Sequence, residues 1–181
     1  MRLPSVTRAI PSDFTGVSPA VLAAACKRGS DVHSACASWA RGVFIPSSLI
    51  AGDRAGYFQS FKEWFEKYVD QVFYVEQEFI DPVYQYVGHI DIAATLTDGR
   101  FCVIDYKTPA AVSKPWRLQL AAYKHLVELE LKKKKIKKEV HALSLRLMYN
   151  GRPAKAVEYK PELNDFPVFL SCLNVHRFYY S

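Results

Sequence analysis

Two strand-like segments of this chain carry acids and an amine where a buried strand would ordinarily carry none. Within Gly88 to Thr108, GHIDIAATLTDGRFCVIDYKT, the charged residues Asp91, Asp105 and Lys107 interrupt apolar runs. Desolvating a carboxylate costs several kcal/mol unless it is paired or binds a metal, so such acids are ion-paired or are ligands. Strand alternation puts Phe101, Val103, Asp105 and Lys107 on one side and Cys102, Ile104 and Tyr106 on the other. Whether Asp91 joins Asp105 depends on the turn between the two strands. A three-residue loop, Thr97-Asp98-Gly99, with the glycine left-handed, sets Asp91 across from Asp105. A two-residue Asp98-Gly99 turn would put them on opposite faces and abolish the site.

Neighbouring carboxylates repel in a dry site, and a hard divalent cation relieves that repulsion. Mg²⁺ commonly takes one or two carboxylates and keeps waters, so Mg²⁺ or Mn²⁺ is the expected cofactor. Lys107 beside the ion would orient or deprotonate a water and face a scissile phosphate, whose developing charge ion and ammonium both offset. That chemistry is phosphodiester hydrolysis. The plainer alternative is a buried Asp–Lys pair that serves structure alone.

Further residues stand in order around this segment: Arg28-Gly29-Ser30-Asp31-Val32-His33 on a helix, Glu76 ahead of Gly88, Asp105-Tyr106-Lys107-Thr108, and Gln119 with Tyr123. The set resembles the PD-(D/E)XK nuclease superfamily, and within it the RecB-like branch of phage and recombination exonucleases. In the motifs of that branch these residues answer to the Arg-Gly…His helix, the strand glutamate, GxxD, D-x-K-T and QxxxY. The resemblance implies metal ligation by His33, Asp91, Asp105 and the backbone carbonyl of Tyr106, with Glu76 nearby and Lys107 as the catalytic lysine. Gln119 and Tyr123, a turn apart on one helix face, would position the lysine and the nucleic acid, with Arg28 and Thr108 also on the substrate side. Glu78 shares strand parity with Glu76, and spacing favours Glu76. Without the Arg-Gly context His33 would read as a core histidine; His89, His125, His141 and His176 lack that context and read as structural. Ile90 stands where the superfamily's name has proline. Some relatives hold an iron–sulfur cluster with one early and three late cysteines; only Cys172 lies late here, so no cluster is expected.

The elements that must position these residues are legible as patterns. Ser18-Pro19 opens a helix through Cys26 to Arg28-Gly29, and Ser30 caps a second one ending at Gly42. Phe44 to Asp53 reads as loop. From Gly56 to Val69 the aromatics Phe58, Phe61, Trp64, Phe65 and Tyr68 make one apolar helix face, which is core. Val72 to Ile80, Val87 to Leu96 and Arg100 to Lys107 read as an antiparallel meander. Ser113 and Pro115 open a long helix through Leu129. Val140 to Tyr149 and Lys155 to Tyr159 flank an Asn150-Gly151 turn, and a last helix runs from Asn164 to Phe178. The expected fold is α/β (α+β), a restriction-endonuclease-like core with a central mixed sheet flanked by helices.

At 181 residues, 50% hydrophobic and 23% charged, the chain is expected to form one globular domain and not a disordered one. No apolar window suits a membrane span, and no secretory signal pattern opens the chain. The basic, acid-free start admits a transit peptide, but the cytoplasm is the expected location, the host's if the chain is phage-encoded. Four cysteines without CxxC spacing read as buried thiols, not as a zinc site or disulfide framework. The net charge of +6 equals the six lysines among Lys132, Lys133, Lys134, Lys135, Lys137 and Lys138, so the excess is local. The run is either a solvated helix end or a phosphate-contact patch. The function expected is a metal-dependent DNA exonuclease of phage or recombination and repair type, with DNA and other recombination or replication proteins as partners. A structure-specific or restriction-like endonuclease, or a nucleic-acid-binding protein with a vestigial centre, are the alternatives.

Overall fold

The computed structural model describes residues 3–11, 16–109, 112–160 and 164–180. A short helix α1 (Val6–Ala9) precedes α2 (Pro19–Ala40), and 3₁₀ turns at Ser47–Leu49 and Gly52–Arg54 lead into α3 (Ala55–Tyr68). Strands β1 (Val69–Asp81), β2 (Tyr86–Leu96) and β3 (Phe101–Lys107) follow. After them come α4 (Pro115–Lys133), β4 (Val140–Arg146), β5 (Lys155–Glu158) and α5 (Asp165–Tyr180). The five strands form one sheet in the order β1-β2-β3-β4-β5. β1, β2 and β3 are the expected antiparallel meander, β4 runs parallel to β3 after the α4 crossover, and β5 is antiparallel to β4. This is a mixed α+β architecture. Among the described residues no helix is long and apolar enough to cross a membrane.

Each face of the sheet buries its own core. Leu120, Tyr123 and Leu126 of α4, with Val6 of α1 and Phe169 of α5, pack on Ile90, Val103 and Val140. Across the sheet, Val32 and Cys36 of α2 and Phe61 and Trp64 of α3 cover Ile92, Ile104, Tyr106 and Leu145. The aromatic stripe of α3 is therefore core, except that Tyr68 is 40% exposed. The split of β3 by alternation holds, since Phe101 and Val103 face α4 while Cys102, Ile104 and Tyr106 face α2 and α3.

The turn that decides the site is the three-residue one. Ile92 pairs with Ile104 and Thr95 with Phe101; Leu96 N–H donates to the Arg100 carbonyl at 2.8 Å and Gly99 N–H to the Leu96 carbonyl at 2.8 Å. Gly99 takes a φ of +87°, which a side chain would resist. Extending this register one step places position 91 opposite 105.

Three expectations are corrected. First, α2 is one helix, not two, and runs through Arg28-Gly29-Ser30. Asp31 locks the suspected joint, bonding Lys27 one turn back at 3.2 Å and Arg54 Nε at 2.7 Å. A Cβ at position 29 would meet Thr108 Oγ1 at 3.7 Å, an ordinary van der Waals contact, so α2 lies beside the end of β3 without needing glycine there. Second, the β4–β5 ladder stops at Arg146–Lys155, not around a tight Asn150-Gly151 turn. Leu147 N–H donates to the Lys107 carbonyl at 2.8 Å and Met148 N–H to Ser60 Oγ at 2.9 Å, which leads the loop onto α3. Third, Cys36 and Cys102 are buried, but Cys26 is exposed on α2 and Cys172 is half-buried on α5.

The loop over α3 gives a direct check. A Cβ at Gly56 would lie 1.7 Å from the Tyr149 carbonyl oxygen, a backbone atom that cannot step aside. Gly56→Ala is expected to destabilise the protein by about 2–3 kcal/mol in urea unfolding, at the upper end of overpacking costs.

Candidate active site

The regular pairing of β2 and β3 ends at Ile92–Ile104. Beyond it the Asp91 carboxylate takes over from the ladder: its Oδ2 accepts the Tyr106 N–H at 2.6 Å, while Oδ1 meets His33 Nδ1 at 3.2 Å. One side chain thus joins β2 to β3 and both to α2. Alternation changes phase at this point, since Ile90 packs with the α4-side core and Ile92 with the α2-side core. On β1 the same level is occupied by Glu76, held at a φ of +48°, between Val75 paired to Ile92 and Gln77 paired to Ile90. A non-glycine residue there carries strain of order 1–3 kcal/mol, a cost associated with functional positions.

His33, Glu76 and Asp91 each bring a potential ligand atom within 4.8 Å of the other two. One imidazole nitrogen and two carboxylates form a donor set that suits a divalent cation. Asp105, 2% exposed, stands beside them in an ion pair with Lys107, and its Oδ1 accepts Gln119 Nε2 at 2.9 Å. Gln119 closes the circuit, since its Oε1 accepts Lys107 Nζ at 2.8 Å and its Nε2 also reaches the Tyr123 hydroxyl at 3.1 Å. α4 can sit this low because residue 88 is glycine; a Cβ there would come 3.1 Å from the Tyr123 ring.

The fold therefore gathers His33, Glu76, Asp91, Asp105, Lys107, Gln119 and Tyr123 around a single cavity of about 270 Å³. An adjoining groove of about 560 Å³ runs along α2 past Ser30, Ser34, Ser38 and Arg41 and shares His33 and Glu76 with the cavity. Arg28 and Thr108 stand outside this cavity, while Tyr106 meets the site through its backbone, its amide bonded to Asp91. Arg28 NH1 stands 3.6 Å from Asp53, and its guanidinium 5.8 Å from the Tyr57 ring. Thr108 packs against Gly29, and the Tyr106 ring is buried in the α2-side core.

Sequence reading passed over His89, Ser5 and Thr7, which also line the cavity. His89, without a motif context, reads as structural, but its Nε2 lies 3.2 Å from Glu76. Its signal was present in the β1–β2 register, which pairs Glu78 with His89 and so carries His89 past the Glu76 carboxylate. Ser5 and Thr7 arrive from a segment tied to β2 by the Val87 N–H donating to the Pro4 carbonyl at 3.0 Å, for which the sequence holds no signal.

The electrostatics follow from burial and proximity. Burial would depress the His33 imidazolium, but the Asp91 carboxylate, by its charge and hydrogen bond, raises it to about 9. Asp91 is opposed by burial, yet His33, the Tyr106 amide and Lys107 hold it below the usual carboxylate range. Asp105 is pushed up, chiefly by burial and further by Asp91, with Lys107 acting against both. Glu76 is also raised, by burial and then by Asp91. Carboxylates that resist ionisation beside one that does not mark excess negative potential, which a divalent cation would relieve.

With this geometry established, the sequence model of the PD-(D/E)XK nuclease superfamily matches residues 52–171 of the chain. The chain belongs to that superfamily. The match covers Glu76, Asp91, Asp105, Lys107, Gln119 and Tyr123, while Arg28 and His33 on α2 lie before it. The mixed, helix-flanked sheet is the restriction-endonuclease-like fold of these nucleases, whose substrate is nucleic acid and which use divalent metals. No curated protein matches the chain.

The proton on His33 sets a test of ion uptake. A histidine whose folded value is raised contributes stability that is complete below the unfolded value of 6.5 and lost as pH rises through about 9. Ion-free protein should therefore lose melting temperature across that window. Metal binding needs the neutral ring, so the added stability given by Mn²⁺ should grow across the same window. Melting curves between pH 6 and 9, with and without Mn²⁺, check both trends, and His33→Gln should flatten them.

Proposed function

We propose that the protein is a Mg²⁺- or Mn²⁺-dependent deoxyribonuclease, a DNA exonuclease of the RecB-like branch, working as one catalytic domain. The observation that carries this reading is the convergence of the His33–Glu76–Asp91 donor set with the Asp105–Lys107–Gln119 circuit on one cavity. The Arg28-Gly29…His33 helix and the Gln119–Tyr123 pair on α4 supply the support for the exonuclease branch.

In this reading His33 and Asp91 hold the ion, with Glu76 within reach of the same point and Asp105 and the Tyr106 carbonyl as its further ligands on the β3 side. A divalent ion there supplies Lewis-acid charge beside the scissile phosphate. Lys107 offers an ammonium to the same phosphate and orients the attacking water, and Gln119 keeps its Nζ in place at 2.8 Å. Asp105 accepts from the Gln119 amide, so one side chain ties the lysine to its partner acid. Tyr123 fixes the other end of that amide, and the groove along α2 receives the strand leading to the cavity. Arg28, held by Asp53 and the Tyr57 ring, and Thr108 beside Gly29 would contact the nucleic acid from the rim. The setting that fits is the cytoplasm, the host's for a phage-encoded enzyme, alongside recombination or replication proteins.

End-labelled linear DNA and covalently closed circles, each incubated with Mg²⁺ or Mn²⁺, test the assignment. Degradation confined to free ends is expected; nicking of circles would make it an endonuclease. Asp105→Asn and Lys107→Ala should each lower the cleavage rate by at least about 10²-fold, and EDTA should abolish it. Equal DNA loss from wild type and both variants would remove the catalytic assignment.

A further inference from the structure

We propose that the lysine run at the end of α4 is a second contact for the DNA backbone, remote from the cleavage centre; the DNA in it rests on the function proposed above. Lys132, Lys133, Lys134, Lys135, Lys137 and Lys138 are all exposed, and together they equal the whole net charge of the protein. Glu130 is the carboxylate paired with the run, 3.9 Å from Lys133 and 3.2 Å from Lys134.

The helix dipole explains only part of this. Its favourable field falls off within the last turn, which covers Lys132, Lys133 and the cap residue Lys134. Lys135, Lys137 and Lys138 lie past the end of the helix. The helix closes with Lys135 N–H donating to the Lys132 carbonyl at 3.0 Å and Ile136 N–H to the Leu131 carbonyl at 2.9 Å. That double bond pattern needs a left-handed residue, and Lys135 supplies it with a φ of +57° at a position where glycine is favoured. A lysine kept at a position that suits glycine breaks a local rule, and such breaks concentrate where function requires them.

The run is also fixed to the sheet and is not a loose tail. Lys134 Nζ donates to the Tyr74 hydroxyl at 2.8 Å, and Lys138 Nζ stands 4.7 Å and 5.3 Å from the centres of the Phe73 and Phe101 rings. Phe101 opens β3, whereas the cavity lies at its other end. From Gln119 to Lys133 the helix spans about 20 Å at 1.5 Å per residue. A duplex held at both places therefore extends roughly six base pairs from the scissile phosphate, taking 3.4 Å per step.

The test compares wild type with a variant carrying Lys132, Lys133, Lys135 and Lys137→Gln, all outside the cavity. Binding to a 30-base-pair duplex is followed by anisotropy in EDTA across a salt series. The slope of log affinity against log salt should shrink by about 0.9 per lost contact, and affinity near 0.1 M salt should fall by more than about a hundredfold. Hydrolysis of thymidine 5′-monophosphate p-nitrophenyl ester with Mn²⁺, a diester too small to reach the lysines, should be unchanged. Lys135→Gly alone should raise the melting temperature by about 2 °C while lowering the slope by about one, which separates lost charge from lost folding. Unchanged slope and affinity in the fourfold variant would overturn the patch, whatever the cleavage assays show. Wild type that binds with the full slope but cleaves neither DNA nor the small diester would overturn the nuclease reading and leave the patch standing.

Discussion

The Asp91 carboxylate stands where three elements meet, and the site depends on how its two oxygens are used. One takes the Tyr106 amide that the sheet leaves unpaired, and the other takes the His33 ring from α2. A buried carboxylate with two such partners stays ionised, so it is available to a cation and at the same time serves as a joint between layers. The rest of the arrangement follows from that joint. His33 is drawn to the sheet, Glu76 on β1 stands level with Asp91 on β2, and Asp105 comes to one side, where Lys107 pairs with it.

A good part of this was legible in the sequence. Acids in apolar strands, the spacing of the turn at Thr97-Asp98-Gly99 and the aromatic stripe of α3 each follow from local chemistry, and the meander, the register and the α3 core agree with them. What escaped was set by contacts distant in the chain. Gly29 reads as a stop because glycine is a poor helix residue, but Asp31 and its partners Lys27 and Arg54 carry the helix through. Asn150-Gly151 reads as a tight turn because local rules cannot know that Met148 will be claimed by Ser60 of α3. His89 looks idle until β1 is laid beside β2.

The site also shows why its parts are uneven as sequence signals. Asp105, Lys107, Gln119 and Tyr123 lie on a strand and the helix next after it, so their spacing is nearly fixed by the crossover. His33 reaches them from a helix on the opposite face of the sheet, fifty-eight residues before its partner Asp91. The span matched by the superfamily holds the first group and leaves out His33. His33 is legible only through the Arg28-Gly29 pair on its own helix, because its spacing to Asp91 is set by tertiary packing.

Glu76 carries a consequence for any effort to harden this protein against heat. Its backbone occupies a conformation that glycine or asparagine would adopt with less strain, while its carboxylate adds to a crowd of buried negative charge. Both effects favour replacement, so a screen that scores only survival on heating should enrich variants at this position. The same screen would be removing a wall of the cavity, and durability and cutting would part company at a single residue.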